Sequence, residues 1–277
     1  MMCLLKMRRQ TLLQSLRNLK SAANSKGGIL CVNDLRKFYQ QNKLEKKSSN
    51  EVFVIDGLFG DGTESPIALV FSSRTCMKYL DQTVSTGAPL LALDGTFKLN
   101  SLGYPLLIVT TQDSLHQVFP IAFAPCSSEC EETVTFVLTS VVKAYKLLYN
   151  KALNVKFFIS DCALYMFSSV RKVFPALKAH ISCYFHVKQS QKKRGMSDRG
   201  VHKDDRKAIL SHLDVMHQMV TKEHFIKYWQ LFKKEYLIYD DYCKYFEDAC
   251  INSDCNLWHF FDLDANVFLA NNCLSTL

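Results

Sequence analysis

The chain has 277 residues, of which 48% are apolar and 22% charged, and a net charge of +8. That much apolar chain can bury the core of one large domain and excludes disorder throughout. No stretch reaches the roughly 18 apolar residues of a membrane span, and Lys6, Arg8 and Arg9 precede any leader-like apolar run, so neither a membrane partner nor secretion is expected. Eleven cysteines at irregular spacing make no disulfide framework and fit a reducing compartment, cytosol or nucleus.

Taken in chain order, residues 1–25 place Leu4, Leu5, Leu12, Leu13, Leu16 and Leu19 among Arg and Lys, which predicts a basic amphipathic helix ended by Gly27-Gly28. A second short helix is expected within 29–50, and Lys46-Lys47-Ser48-Ser49-Asn50 reads as the boundary of a compact domain starting near Glu51. That domain begins with strands at 52–55 and 67–71, separated by a Gly-containing turn at 56–63, and a helix near 76–84. Strands at 90–100, 104–111 and 118–124 follow with short connections, an antiparallel meander. Val134, Val137, Leu138, Val141, Val142, Tyr145, Leu148 and Tyr149 then mark one face of a helix that starts after Glu131-Glu132. A strand at 155–159, a helix at 163–174 ended by Pro175, and a strand at 180–185 complete the series. The order βββαβαβ is that of a ribonuclease-H-like fold: an α/β domain with a mixed five-stranded sheet flanked by helices. It is preceded by a basic helical N-terminal segment and followed by a C-terminal helical insertion. The expected division is 1–50, 51–190 and 191–277.

Two carboxylates stand out because packing does not account for them. The apolar runs Leu90 to Leu93 and Val155 to Ile159 end at or next to Asp94 and Asp161, and an unpaired buried carboxylate costs several kcal/mol. Alternation puts Leu90, Ala92 and Asp94 on one face, and Val155, Phe157, Ile159 and Asp161 on one face. On adjacent parallel strands the two acids would share Mg²⁺ or Mn²⁺, hard cations that prefer carboxylate oxygens, in a two-metal site acting on a phosphodiester. Two alternatives stay open: Asp94-Gly95 as a hairpin turn, and Asp161 as a helix cap.

Charge is unevenly placed. Residues 1–50 carry a net +9, residues 51–186 a net −1, residues 187–207 a net +5 and residues 208–277 a net −5. Basic segments therefore flank a neutral core, as in a polyanion-binding protein. Lys188, Lys192, Lys193 and Arg194 are candidate contacts to nucleic-acid phosphates, the alternative being a solvated face. Downstream, Leu210, Leu213, Met216, Met219, Val220, Phe225, Tyr228, Trp229, Phe232 and Tyr236 are expected to form a helical core. Cys183 and His186 form a Cys-x-x-His pair that could hold zinc or simply pack; His180 and Cys162 are the only further ligands at hand, and a structural zinc site needs four.

These residues resemble the transposases of Mutator-like elements, the MULE transposase domain family. The resemblance rests on Asp94-Gly95-Thr96-Phe97-Lys98, Tyr104-Pro105-Leu106, Phe119-Pro120-Ile121-Ala122-Phe123-Ala124, Ile159-Ser160-Asp161, Val173-Phe174-Pro175 and Cys183-x-x-His186, over about residues 67–190. It implies a DDE-type catalytic domain in which Asp94 and Asp161 are the first two acids and metal ligands. It further implies transposon ends and target DNA as partners, a homo-oligomer assembled on DNA, and a nuclear location. The family pattern carries its third acid in a T-N-N-x-x-E segment, where this chain reads Ala270-Asn271-Asn272-Cys273-Leu274-Ser275, so Ser275 replaces the glutamate close to the last residue. The expectation is a transposase by ancestry, truncated or decayed. Asp262 and Asp264 are the nearby substitutes for the missing acid. A DNA-binding protein without catalysis and a nuclease of the same fold remain the alternatives.

Overall fold

A computed structural model describes residues 32–44, 51–87, 89–97, 103–113, 117–253 and 257–259. The helix expected at 1–25, the linker at 46–50, the turn at 101–102, Asp262, Asp264 and Ser275 lie outside these residues. Helix α1 (Val32–Asn42) precedes strands β1 (Val52–Phe59) and β2 (Ile67–Ser73), helix α2 (Arg74–Ser85) and strand β3 (Leu90–Thr96). Strands β4 (Leu106–Gln112) and β5 (Val118–Pro125) lead to helix α3 (Glu131–Tyr149), strand β6 (Phe157–Ser160), helix α4 (Leu164–Val173) and strand β7 (Ala179–Ser182). Helices α5 (Tyr184–Ser190), α6 (Lys203–His217), α7 (Lys222–Glu235) and α8 (Asp240–Phe246) follow.

The strands form one seven-stranded mixed sheet in the order β1-β2-β5-β4-β3-β6-β7. The expected five strands are all present, but the number is corrected to seven because β1 and β2 pair with each other and β2 joins the edge of β5. The turn expected at 56–63 is also corrected. The chain stays in β1 through Asp56 and Gly57, absorbing Ile55 as a bulge between Val54 and Asp56, and turns only beyond Phe59. There the Asp61 carboxylate accepts from the N–H groups of Thr63, Glu64 and Ser65, and these bonds lower its pKa to about 2.

Strands β3, β4 and β5 are antiparallel, whereas β6 and β7 run parallel to β3. Alternation along β3 feeds two cores. Leu91 and Leu93 pack with Leu107, Val109, Ile121 and the α3 residues Val134, Val137, Leu138 and Val141. Leu90 and Ala92 pack on the other face with Phe157, Ile159, Ile181 and Cys183. Helix α3 is long because its apolar stripe covers this sheet, and it stops at Asn150, which takes the left-handed conformation at φ 52°. Helix α1 lays Leu35, Phe38 and Tyr39 against Val54, Leu69 and Phe71.

The strand expected at 180–185 ends at Ser182, and the chain turns into α5 at Cys183. From there the helices build their own apolar centre from Met196, Ile209, Leu213, Met216, Trp229, Phe232, Tyr242, Phe246 and Trp258. Val220, expected within it, is exposed. No described helix is long and apolar enough to cross a membrane.

Candidate functional site

Parallel pairing sets the geometry of the two acids. Leu90 faces Phe157, Leu91 faces Phe158 and Ala92 faces Ile159, so continuing the register by two residues brings Asp94 level with Asp161, one residue past the end of β6. Asp94 pairs with Ile108 inside the β3–β4 ladder, which removes the hairpin alternative for Asp94-Gly95. The Asp161 carboxylate accepts from the Ala163 N–H at 3.2 Å, a local turn just before α4, while the helix itself has no side-chain cap.

A third carboxylate stands beside them, one that no periodicity along the chain marks. Glu129 lies in the connection between β5 and α3, half-buried, with its oxygens over Gly95. A Cβ at Gly95 would meet Glu129 Oε2 at 2.8 Å and Oε1 at 2.9 Å. Glycine is what lets this carboxylate close on the strand that carries Asp94. Tyr165, in the first turn of α4, is close enough to Glu129 to favour its ionised form.

Asp94 and Glu129 both sense the charge of Asp161. Asp94 has half of its side-chain surface in solvent, yet packing on its other side desolvates it and raises its pKa; His186 and the Gly95 N–H oppose that shift, and Asp161 adds to it. Glu129 is raised too, first by desolvation and then by repulsion from Asp161, with a smaller share from Asp94. His186 Nε2 lies 3.6 Å from Asp94 Oδ1, and His186 Nδ1 is buried without a hydrogen-bond partner. Among the described residues no lysine or arginine pairs with any of the three acids, and no three His, Cys, Asp or Glu side chains stand at ligating distance as placed.

Cys183 is the N-cap of α5 without a side-chain cap hydrogen bond, and burial pushes its thiol pKa up. His180 is a core residue: Nε2 bonds Ser160 Oγ at 2.8 Å, and the ring stacks on Phe167. Lys188 is also committed, since Nζ reaches both oxygens of Asp214 at 2.7 Å and Tyr184 donates to the same carboxylate. Lys192, Lys193 and Arg194 sit together on one exposed turn, Gln191–Gly195, directly after α5.

His186 and this basic turn are six residues apart on continuous helical chain, roughly 9 Å along its axis. The carboxylate end of the sheet and a cationic surface are therefore neighbours. A comparison with curated proteins gives no match. Residues 90–190, from the first residue of β3 to the last of α5 and including Asp94, Glu129, Asp161, Cys183 and His186, match the family model of the MULE transposase domain.

Proposed function

We propose that this chain is a transposase-related, DNA-binding domain of ribonuclease-H-like architecture, with Asp94 and Asp161 as its cation-holding pair. The observation that carries this reading is the level placement of the two acids on adjacent parallel strands inside the segment that matches the MULE transposase domain. The strand order β5-β4-β3-β6-β7, with a meander followed by two parallel strands, supports the fold assignment. Exposed Lys192, Lys193 and Arg194 supply the phosphate contacts; Lys188 is left out, because Asp214 already neutralises it.

The donor set suits Mg²⁺ or Mn²⁺, since the oxygens are carboxylates and no described lysine or arginine competes for them. Bound there, the cation would supply charge neutralisation at a phosphodiester and a water of lowered pKa. Asp94 and Asp161 orient their oxygens from rigid strand ends, and His186 steadies Asp94 from the helical side. Cys183 and His186 are assigned to the start of α5 and to Asp94, rather than to zinc. With Ser275 at the position of the family's glutamate, the reading is binding without strand cleavage, because phosphoryl transfer depends almost wholly on placement. Assembly as a homo-oligomer on DNA and a nuclear location accompany it.

The test incubates the full chain with supercoiled and linear DNA in Mg²⁺ and in Mn²⁺. Salt-sensitive binding without nicks or joints is expected. Nicking that disappears in Asp94→Asn would overturn the non-cutting part, and absence of DNA binding would overturn the reading.

A further inference from the structure

We propose that the acid-bearing end of the sheet carries a stacking platform for unpaired DNA bases, built from Phe97 and Phe185 and flanked by Leu164. The proposal rests on the reading above and deepens it by naming the form of DNA that the chain takes. Among the described residues, the exposed aromatic side chains are Phe97, Tyr104 and Phe185, and all three stand at this one end. Phe97 follows β3, three residues and roughly 10 Å beyond Asp94. Tyr104 precedes β4 at the same end, since Leu106 pairs with Thr96. The Phe185 ring meets the His186 ring edge-on at 5.4 Å, and His186 Nε2 is 3.6 Å from Asp94 Oδ1. Leu164, 80% exposed, opens α4 three residues after Asp161.

Single exposed apolar side chains are ordinary on a protein surface, but exposed rings confined to one end mark a contact surface. Charge identifies what covers it. Phe185 and Lys192 are seven residues apart on continuous helical chain, about two turns or roughly 10 Å, so the ring and the cations of Lys192, Lys193 and Arg194 follow one another along one exposed side. A flat ring takes the face of a base of any sequence, and a lysine or arginine beyond it takes the phosphate, which is how single strands are held. An apolar protein partner would have no use for the cations. An intact duplex would offer the rings nothing, because its base faces are stacked on one another and its phosphates face outward. The occupant is therefore DNA with unpaired bases, a single strand or a frayed end, whose phosphates run along the basic turn.

The experiment measures binding of the full chain, in metal-free buffer, to a fluorescent single strand, to the blunt duplex of the same sequence and to the same strand with abasic sites, by anisotropy over a salt series. Wild type should bind the intact strand at least about tenfold more tightly than the abasic one, which keeps every phosphate. Phe185→Ala and Phe97→Ala should each weaken single-strand binding about tenfold and leave duplex binding as it is. They should also leave the slope of log affinity against log salt unchanged, because stacking releases no counterions. Phe185→Tyr should keep the affinity, whereas Phe185→Leu, with its apolar bulk but no ring, should not. Unchanged circular dichroism and retained duplex binding show that the variants are folded. Equal losses for strand and duplex, no loss in either alanine variant, or equal binding of the intact and abasic strands by wild type overturns the platform and leaves DNA binding by the basic turn standing. Self-association that is lost in the phenylalanine variants while single-strand binding survives overturns it in favour of a second copy of the chain on this face. Absence of binding to all three DNAs overturns the underlying reading as well.

Discussion

The sheet and the helical lobe handle charge in opposite ways. At the end of the sheet, Asp94, Asp161 and Glu129 lie near one another with no described lysine or arginine paired to them, and Asp94 and Glu129 have raised pKa values. In the lobe, several cations are consumed internally: Lys188 by Asp214, Lys233 by Glu247, Arg206 by the Val201 carbonyl, and Arg199 by the Tyr245 ring at 3.4 Å. What remains uncommitted is the informative part in each case. In the sheet it is a concentrated negative centre, and in the lobe the densest exposed cations are those of one short turn, Lys192, Lys193 and Arg194.

The largest effect expected from breaking this contrast is on cation binding. Asp94→Asn or Asp161→Asn should weaken Mn²⁺ affinity by at least about tenfold, and calorimetric titration checks it. Next comes the cationic turn. Replacing Lys192, Lys193 and Arg194 together by alanine should flatten the slope of log DNA affinity against log salt by about 2.7, near 0.9 for each phosphate left without its cation. Lys188→Ala should leave that slope unchanged and instead cost about 1 kcal/mol of folding stability, as expected for a partly exposed ion pair. Fluorescence anisotropy over a salt series separates the two.

A smaller effect concerns acid. Burial lowers the His180 pKa to about 3 and the His259 pKa to about 4, against an ordinary value of 6.5. Below pH 6.5 the unfolded chain therefore takes up protons that the folded one refuses, so the melting temperature should fall as pH drops from 6.5 toward 4. The raised carboxylates act with the other sign. Asp94 and Glu129 cost nothing while protonated, and their cost grows as pH rises above the ordinary values of 3.8 and 4.5 and the unfolded chain ionises first. The smallest expected effect follows: at about pH 7, Glu129→Gln should melt slightly above wild type.

Much of the sheet is legible in the sequence because its signals are local. Alternation and apolar runs mark β3 to β7, and the acids at the ends of two runs mark the site. The features that escape such a reading depend on neighbours distant in sequence. Glu129 carries no periodicity, and with Glu131 and Glu132 just behind it, it passes for helix-start acidity; the one available signal is an acid that falls before the helix rather than in it. Lys188 reads as part of a phosphate-binding run because its partner, Asp214, is 26 residues away. The strand expected to reach Phe185 stops at Ser182, since Cys183 begins a helix whose apolar residues Tyr184 and Val187 belong to the lobe. Asp56-Gly57 suggests a turn, but a bulge carries β1 through it.

The Ser182 N–H donates to the Leu257 carbonyl at 3.2 Å, while Cys183 opens the lobe on the same strand end. Among the described residues, the lobe thus leaves the sheet at Cys183 and touches it again beside the same strand end, at Leu257. An excursion with coincident ends can gain or lose helices at little cost, because loop-closure entropy grows only slowly with length. Residues added to such a lobe would leave its anchorage beside Ser160 undisturbed.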